Sequence, residues 1–218
     1  MSRGVKISLA LVAVFVVAVA AILLVNRSGG ESAASAPADA SAAAVVVRPD
    51  SHRLSSAPDG SPTFVEFLDF ECEACRSVYP AIEELRAEYG DRVSFVVRYF
   101  PLPGHFNAER AARAVEAAAQ QGKFEQMYQK MYETQSEWGE QRVPKDDAFR
   151  DFAADLGLDM AAFDAAYADP ATAARVAADV ADGQALGVQG TPSFFLDGQR
   201  FEPASYQDLT DAFDAALR

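Results

Sequence analysis

The 218 residues are 50% hydrophobic and 11% aromatic, enough apolar surface to offset chain entropy over most of the length, which excludes a disordered chain. The formal net charge is −13, and all 32 acids lie beyond Arg27. So acidic a chain lacks the basic patches that a nucleic-acid partner requires; the charge serves the solubility of the folded part.

Ile7 to Val25 is an apolar run with Ser8 as its only polar member. At about 1.5 Å rise per residue it nearly spans a hydrocarbon core of roughly 30 Å, so residues 7–25 are expected to form a transmembrane anchor. A cleaved signal peptide would have a shorter apolar region and then a small-residue cleavage site. Here Asn26 and Arg27 follow directly, although Ala34 and Ala36 leave cleavage open. Arg3 and Lys6 before the run, against Arg27 after it, keep residues 1–6 cytoplasmic and put the rest of the chain outside. Within residues 26–44, Ser28 to Ala44 is Ala, Ser and Gly with single acids and one proline, a composition suited to a flexible tether. No cysteine lies there to carry a lipid.

The folded domain is expected over residues 45–218. Val45 to Val47 suggests a first edge strand, followed by a turn-rich segment from Pro49 to Pro62. Thr63 to Phe70 is β-branched and aromatic and predicts a strand. Val78, Ile82, Leu85 and Tyr89 recur at helical spacing, and Gly90 is a natural stop. Val93 to Phe100, nearly continuous in apolar residues, predicts a second strand buried on both faces. The order is strand, helix, strand: a right-handed βαβ unit with a parallel pair.

An all-helical insertion over about residues 105–187 follows. Asn107 is placed to cap a helix carrying Ala111, Ala112 and Val115, and Gly122 ends it. Apolar stripes around Met127 and Met131, Phe149 and Phe152, Phe163 and Tyr167, and Val176 and Val180 mark four more helices, with core packing as their role. Ser193 to Leu196, Asp197-Gly198 and Arg200 to Glu202 predict a hairpin. Ser205 to Leu217 closes the chain as a helix.

Cys72-Glu73-Ala74-Cys75 contains the only two cysteines and falls where the first strand hands over to the helix. Thiol–disulfide exchange needs one sulfur exposed to attack a substrate and a second behind it to resolve the mixed disulfide. The unpaired N–H groups and positive dipole end of a helix start stabilise the first thiolate, lowering its pKa from about 8.5. Cys72 is therefore the expected nucleophile and Cys75 the resolving thiol. Zinc would normally take four ligands, and only Cys72, Cys75, His52 and His105 exist, with the histidines in loops far from any second close-spaced pair. A purely structural disulfide closing so short a loop would be a poor staple. No metal or separate cofactor is expected; the disulfide is itself the redox group.

TFVEFLDFECEACRSVY (Thr63 to Tyr79) resembles the active-site segment of the DsbA family of thioredoxin-fold proteins. RYFPLPGHFNAERAARAVEAAAQQGKF is similar to the start of that family's helical insertion, and GVQGTPSFFLDGQRF to its closing hairpin. The resemblance implies an α/β thioredoxin-like fold with a helical insertion, behind one N-terminal transmembrane helix. It implies that Pro192 is a cis-proline facing the disulfide, with Thr191 offering backbone groups to a substrate chain. It also makes Glu66 a buried proton relay for Cys75 with a raised pKa; an edge-exposed glutamate is the alternative.

The activity implied is exchange of the Cys72–Cys75 disulfide with cysteines of unfolded or reduced exported proteins, as an oxidant that introduces disulfides, and a membrane oxidase or reductase recycles the pair. Where the best-known oxidant has Pro-His between its cysteines, this chain has Glu73 and Ala74. Together with Asp69 and Glu71, Glu73 is expected to raise the thiolate pKa and make the pair less oxidising. A reductase or isomerase, or a non-catalytic chaperone-like module, are the competing expectations.

Overall fold

A computed structural model of the protein describes residues 46–218. The expected cytoplasmic end, anchor and tether over residues 1–44 lie outside the described residues. Among the described residues, no helix is long and apolar enough to cross a membrane.

Among the described residues five strands form one mixed sheet: β1 (His52–Ser55), β2 (Thr63–Leu68), β3 (Ser94–Tyr99), β4 (Ser193–Leu196) and β5 (Gln199–Phe201), in the order β1-β3-β2-β4-β5. Strands β2 and β3 are parallel, with Glu66 opposite Val97. The helix between them, α1 (Glu73–Tyr89), makes the crossover of the βαβ unit. The other pairings are antiparallel. The first edge strand differs from the expectation at Val45 to Val47. Neither Val46 nor Val47 belongs to the sheet, and β1 instead comes from the segment read as turns, pairing His52 with Val97. His52 is thus a strand residue. The segment HRLS has too little apolar alternation to announce a strand; its pairing with β3 makes it one.

The insertion between β3 and β4 consists of α2 (Ala108–Ala119), α3 (Phe124–Trp138), α4 (Asp146–Asp155), α5 (Met160–Ala168) and α6 (Pro170–Ala185), and α7 (Tyr206–Ala216) follows β5. Side-chain oxygens of Asp159 and Asp169 cap α5 and α6, Pro170 opens α6, and Ser205 and Asp208 form a capping box on α7. Asn107 occupies the N-cap position of α2 without a side-chain cap bond. Its amide is spent elsewhere, donating to the carbonyls of Gln141 and Val143 while its oxygen accepts from the Lys145 amide.

Alternation along β2 splits the core. Phe64, Leu68 and Phe70 face the larger cluster with α1, α7 and the aromatic residues of the insertion; Val65 and Phe67 face a smaller one with Val96, Phe100, Val188 and Phe195. Helix α6 covers the second face closely. A Cβ at Gly183 would lie 2.7 Å from the Phe100 ring, so only glycine fits. Within β3, Arg98 is fully buried against α6, 2.8 Å from Asp179 and 2.5 Å from Asp182.

Candidate active site

Cys72 is the N-cap of α1, in extended conformation, and Cys75 lies within the first turn. Both cysteines are free thiols and both are buried, while Glu73 and Ala74 between them are exposed. The sheet brings β2 and β4 side by side with Glu66 opposite Phe194, which carries the segment before β4 up to the cysteines. The Thr191–Pro192 peptide bond is cis, and the Cys72 thiol donates to the Thr191 carbonyl at 3.4 Å.

The two sulfurs are driven apart in acidity. Cys72 is lowered to about 5: the Cys75 side chain lowers it most, burial opposes, and the proximity of Thr191 and the N–H groups of Cys75 and Ala74 lower it further. The Thr191 hydroxyl is buried and has no hydrogen-bond partner among the described residues. Cys75 is pushed well above the usual thiol range by burial, by its bond to Cys72 and by the charges of Glu66 and Cys72. A low first thiol over a high second one is the asymmetry that exchange chemistry uses.

The expectation that Glu73 lifts the Cys72 thiol is corrected. Its carboxylate points into solvent, where its charge is screened, and the donors gathered on the sulfur outweigh it. Asp69 and Glu71 do not press on the sulfur as free charges either. Asp69 accepts from the amides of Glu71 (2.8 Å) and Leu102 (2.9 Å) and contacts His105 at 2.6 Å. Glu71 accepts from the amides of Asn107 and Glu140, the latter at 3.1 Å. Both acids are buried and tie the turn before Cys72 to the loops flanking α2 and α4.

Glu66 is 4% exposed, on the face of β2 toward α1. Burial, with smaller contributions from Cys72 and Glu83, pushes its carboxyl up to about 8, so it is protonated at neutral pH. The hydroxyls of Tyr128 and Tyr132 are buried without partners among the described residues, and both phenols sense the charge of Glu66.

Two supports were not anticipated from the sequence. Gln135 of α3 donates from Nε2 to the carbonyls of Phe70 (2.7 Å) and Cys72 (3.0 Å), fixing the turn from behind. His105 is brought to the same turn through Asp69. A glutamine in an otherwise apolar stripe was the only signal for the first. The pairing of His105 with Asp69 had no local signal at all. Among the described residues, no group of three or more His, Cys, Asp or Glu is arranged to hold a metal ion.

A cysteine pair on a helix start, facing a cis-proline across a thioredoxin-like sheet, defines a thiol–disulfide oxidoreductase. A family profile described as thioredoxin matches residues 52–215. The chain belongs to this thioredoxin family.

A thioredoxin-like oxidoreductase from Silicibacter pomeroyi DSS-3 is 29% identical with a TM-score of 0.65, covering 78% of this chain and 93% of that one. Wolbachia pipientis alpha-DsbA1 shares the fold at 19% identity and a TM-score of 0.65 over 79% of this chain and 93% of that one. BdbD from Bacillus subtilis does so at 22% and 0.63, over 74% and 90%.

Among curated relatives, a protein named Na(+)/H(+) antiporter NhaA from Herminiimonas arsenicoxydans is 35% identical over 174 residues, which is 79% of this chain and 27% of that protein. NhaA 3 from Salinispora tropica matches similarly, at 36% over 175 residues. The chain thus spans about a quarter of the length of these relatives. What it shares with them is the thioredoxin domain, whose described helices include none fit to cross a membrane.

Proposed function

We propose that the protein is an extracytoplasmic oxidant that introduces disulfides into exported proteins. The observation that carries this reading is the placement of Cys72 at the N-cap of α1 against the Thr191 carbonyl with Cys75 buried in the first turn; the surroundings hold Cys72 down at about 5 and push Cys75 up. A thiolate that stable stabilises the reduced pair, and a pair whose reduced form is stable hands its disulfide to others.

In the forward reaction a substrate thiolate attacks the Cys72 sulfur of the oxidised pair. The Cys72–Cys75 bond breaks and Cys75 leaves with the electron pair. Its high proton affinity calls for a donor, and Glu66, protonated at neutral pH, is the acid buried on that side of the sheet. A second thiolate of the substrate then attacks the substrate's own sulfur in the mixed disulfide, releasing Cys72 as thiolate. Two electrons pass from the substrate dithiol to the pair, and the substrate leaves with one disulfide. Thr191 and Pro192 lie beside Cys72 where the backbone of an extended substrate can align.

The apolar run at residues 7–25 would hold the domain at the outer face of the cell membrane, and a membrane oxidase would restore the disulfide. The reaction needs no redox group beyond the cysteines.

The test is oxidation of a reduced two-cysteine peptide by the oxidised protein, with the reduction potential measured alongside. Wild type converts the peptide, Cys72→Ser does not, and Cys75→Ala accumulates a mixed disulfide through Cys72. A potential near the −270 mV typical of thioredoxin would assign a reductase instead. Absence of any mixed disulfide would leave only a binding module.

A further inference from the structure

His105 lies in the loop between β3 and α2, its side chain 22% exposed, with Nδ1 2.6 Å from Oδ2 of the fully buried Asp69 carboxylate. The remaining acceptors of Asp69 build the approach to the nucleophile. Its Oδ1 takes the Glu71 amide at 2.8 Å, and its carbonyl takes the Cys72 amide at 3.1 Å. One residue therefore holds both the imidazole and the backbone of the reacting sulfur. The ring also lines an apolar groove of about 670 Å³ and a smaller polar recess of about 50 Å³.

Ionisable neighbours come from each element around it: Asp69, Glu71 and Cys72 from the turn, Glu109 and Arg110 from α2, and Glu140 and Arg142 from the loop before α4. Helix α6 lines the same groove with alanines, valines and Gln184, none of them ionisable.

We propose that His105, carried as an imidazolium on Asp69, is a positioning residue for thiol exchange: it sets a positive charge beside the turn into Cys72 and stabilises the thiolate released there. It would supply from a separate loop the cation that Glu73 and Ala74 do not provide between the cysteines. Burial works against the charge on the ring, but the hydrogen bond and charge of Asp69, then the charges of Cys72 and Glu71, outweigh it and raise its pKa. The proposal rests on Cys72 being the exchanging sulfur.

Linkage makes the effect reciprocal: if the imidazolium favours the thiolate, the thiolate favours the imidazolium by the same factor. Oxidation removes the thiolate, so the His105 pKa must fall when the disulfide forms. An opposite charge at this kind of partly solvated site shifts a pKa by about one unit.

The experiment measures the His105 pKa by NMR in the full chain in detergent micelles, reduced and oxidised, with His52 as internal reference. The Cys72 pKa is read in parallel from thiolate absorbance, in wild type and in His105→Gln. The expected result is a His105 pKa about one unit higher in the reduced protein, an unmoved His52, and a Cys72 pKa raised by a matching amount in His105→Gln.

A His105 pKa equal in the two redox states, or a folded His105→Gln with unchanged Cys72 acidity, overturns the proposal. If His105→Gln does not fold, the wild-type comparison alone decides. Failure of the underlying reading looks different, because wild-type Cys72 would then not exchange with a small disulfide at all.

Discussion

Replacing Glu66 with glutamine should change how stability depends on pH, and in the same direction in the two redox states. In the reduced protein Glu66 titrates at about 8 against 4.5 in the unfolded chain, so between those values the folded state holds a proton the unfolded state has lost. Stability therefore falls with pH, by about 1.4 kcal/mol per unit, or about 5 kcal/mol across the window. Cys72 does the reverse. Its folded value of about 5 lies below the unfolded 9, so its contribution is complete above 9, is lost as pH falls through 5, and rises by about 1.4 kcal/mol per unit in between. Solvent at the open edge of the sulfur narrows this window without changing the slope, cutting the total to about 3 kcal/mol.

The two slopes nearly cancel between about pH 5 and pH 8. Reduced wild type should then be almost indifferent to pH there, while reduced Glu66→Gln gains stability by about 3 kcal/mol from the acid to the alkaline end. In the oxidised protein Cys72 no longer titrates. Wild type loses stability as pH rises and Glu66→Gln stays flat. Urea denaturation of all four species at each pH reads these slopes, and comparing variants at one pH cancels both histidines. Identical slopes for wild type and Glu66→Gln in either redox state would refute the assignment of a protonated, buried Glu66.

Other substitutions probe the scaffold around the pair. Gly183→Ala forces a methyl into the Phe100 ring and should cost about 1–3 kcal/mol in denaturant unfolding. Arg98→Ala removes one of the two cations on the buried Asp179, leaving Arg175 at 2.6 Å, and one on Asp182, and should cost about 3 kcal/mol by the same measurement. Gln135→Leu leaves the carbonyls of Phe70 and Cys72 without their side-chain donor. A loss of about 1–3 kcal/mol, with slower mixed-disulfide formation in stopped-flow kinetics, is expected. Glu73→Gln should leave the Cys72 pKa nearly unchanged, because the donors on the sulfur and not the exposed carboxylate determine it; thiolate absorbance checks this.

The parts of the fold visible in the sequence are those carried by periodicity. Thr63 to Leu68 and Ser94 to Tyr99 are dense in β-branched and aromatic residues, and each helix of the insertion repeats its apolar residues at helical spacing, so pattern alone places all of these. His52 to Ser55 escapes such a reading because its strand character comes from pairing with β3 and not from composition. At the site, the cysteines announce themselves by spacing. Their surroundings do not. Asp69 and Glu71 look like repelling charges in one dimension, and only the amides of Leu102, Asn107 and Glu140, tens of residues away, turn them into acceptors. Asn107 carries a good capping signal, but its amide is claimed by the loop of Gln141 and Val143. Long-range hydrogen bonding overrides local preference in each case.

The attachment of the nucleophile's turn to the insertion bears on how the domain opens. Gln135 grips the carbonyls of Phe70 and Cys72, while Glu71 grips the amides of Asn107 and Glu140. The segment around Cys72 therefore cannot fray by itself; its amides become free to exchange hydrogen only when α3 and the loop before α4 let go. Deuterium uptake near the cysteines should then follow the unfolding of the helical layer rather than that of a surface loop. Selection for a reliable reaction at one sulfur would be felt as selection on the packing of helices that never meet a substrate.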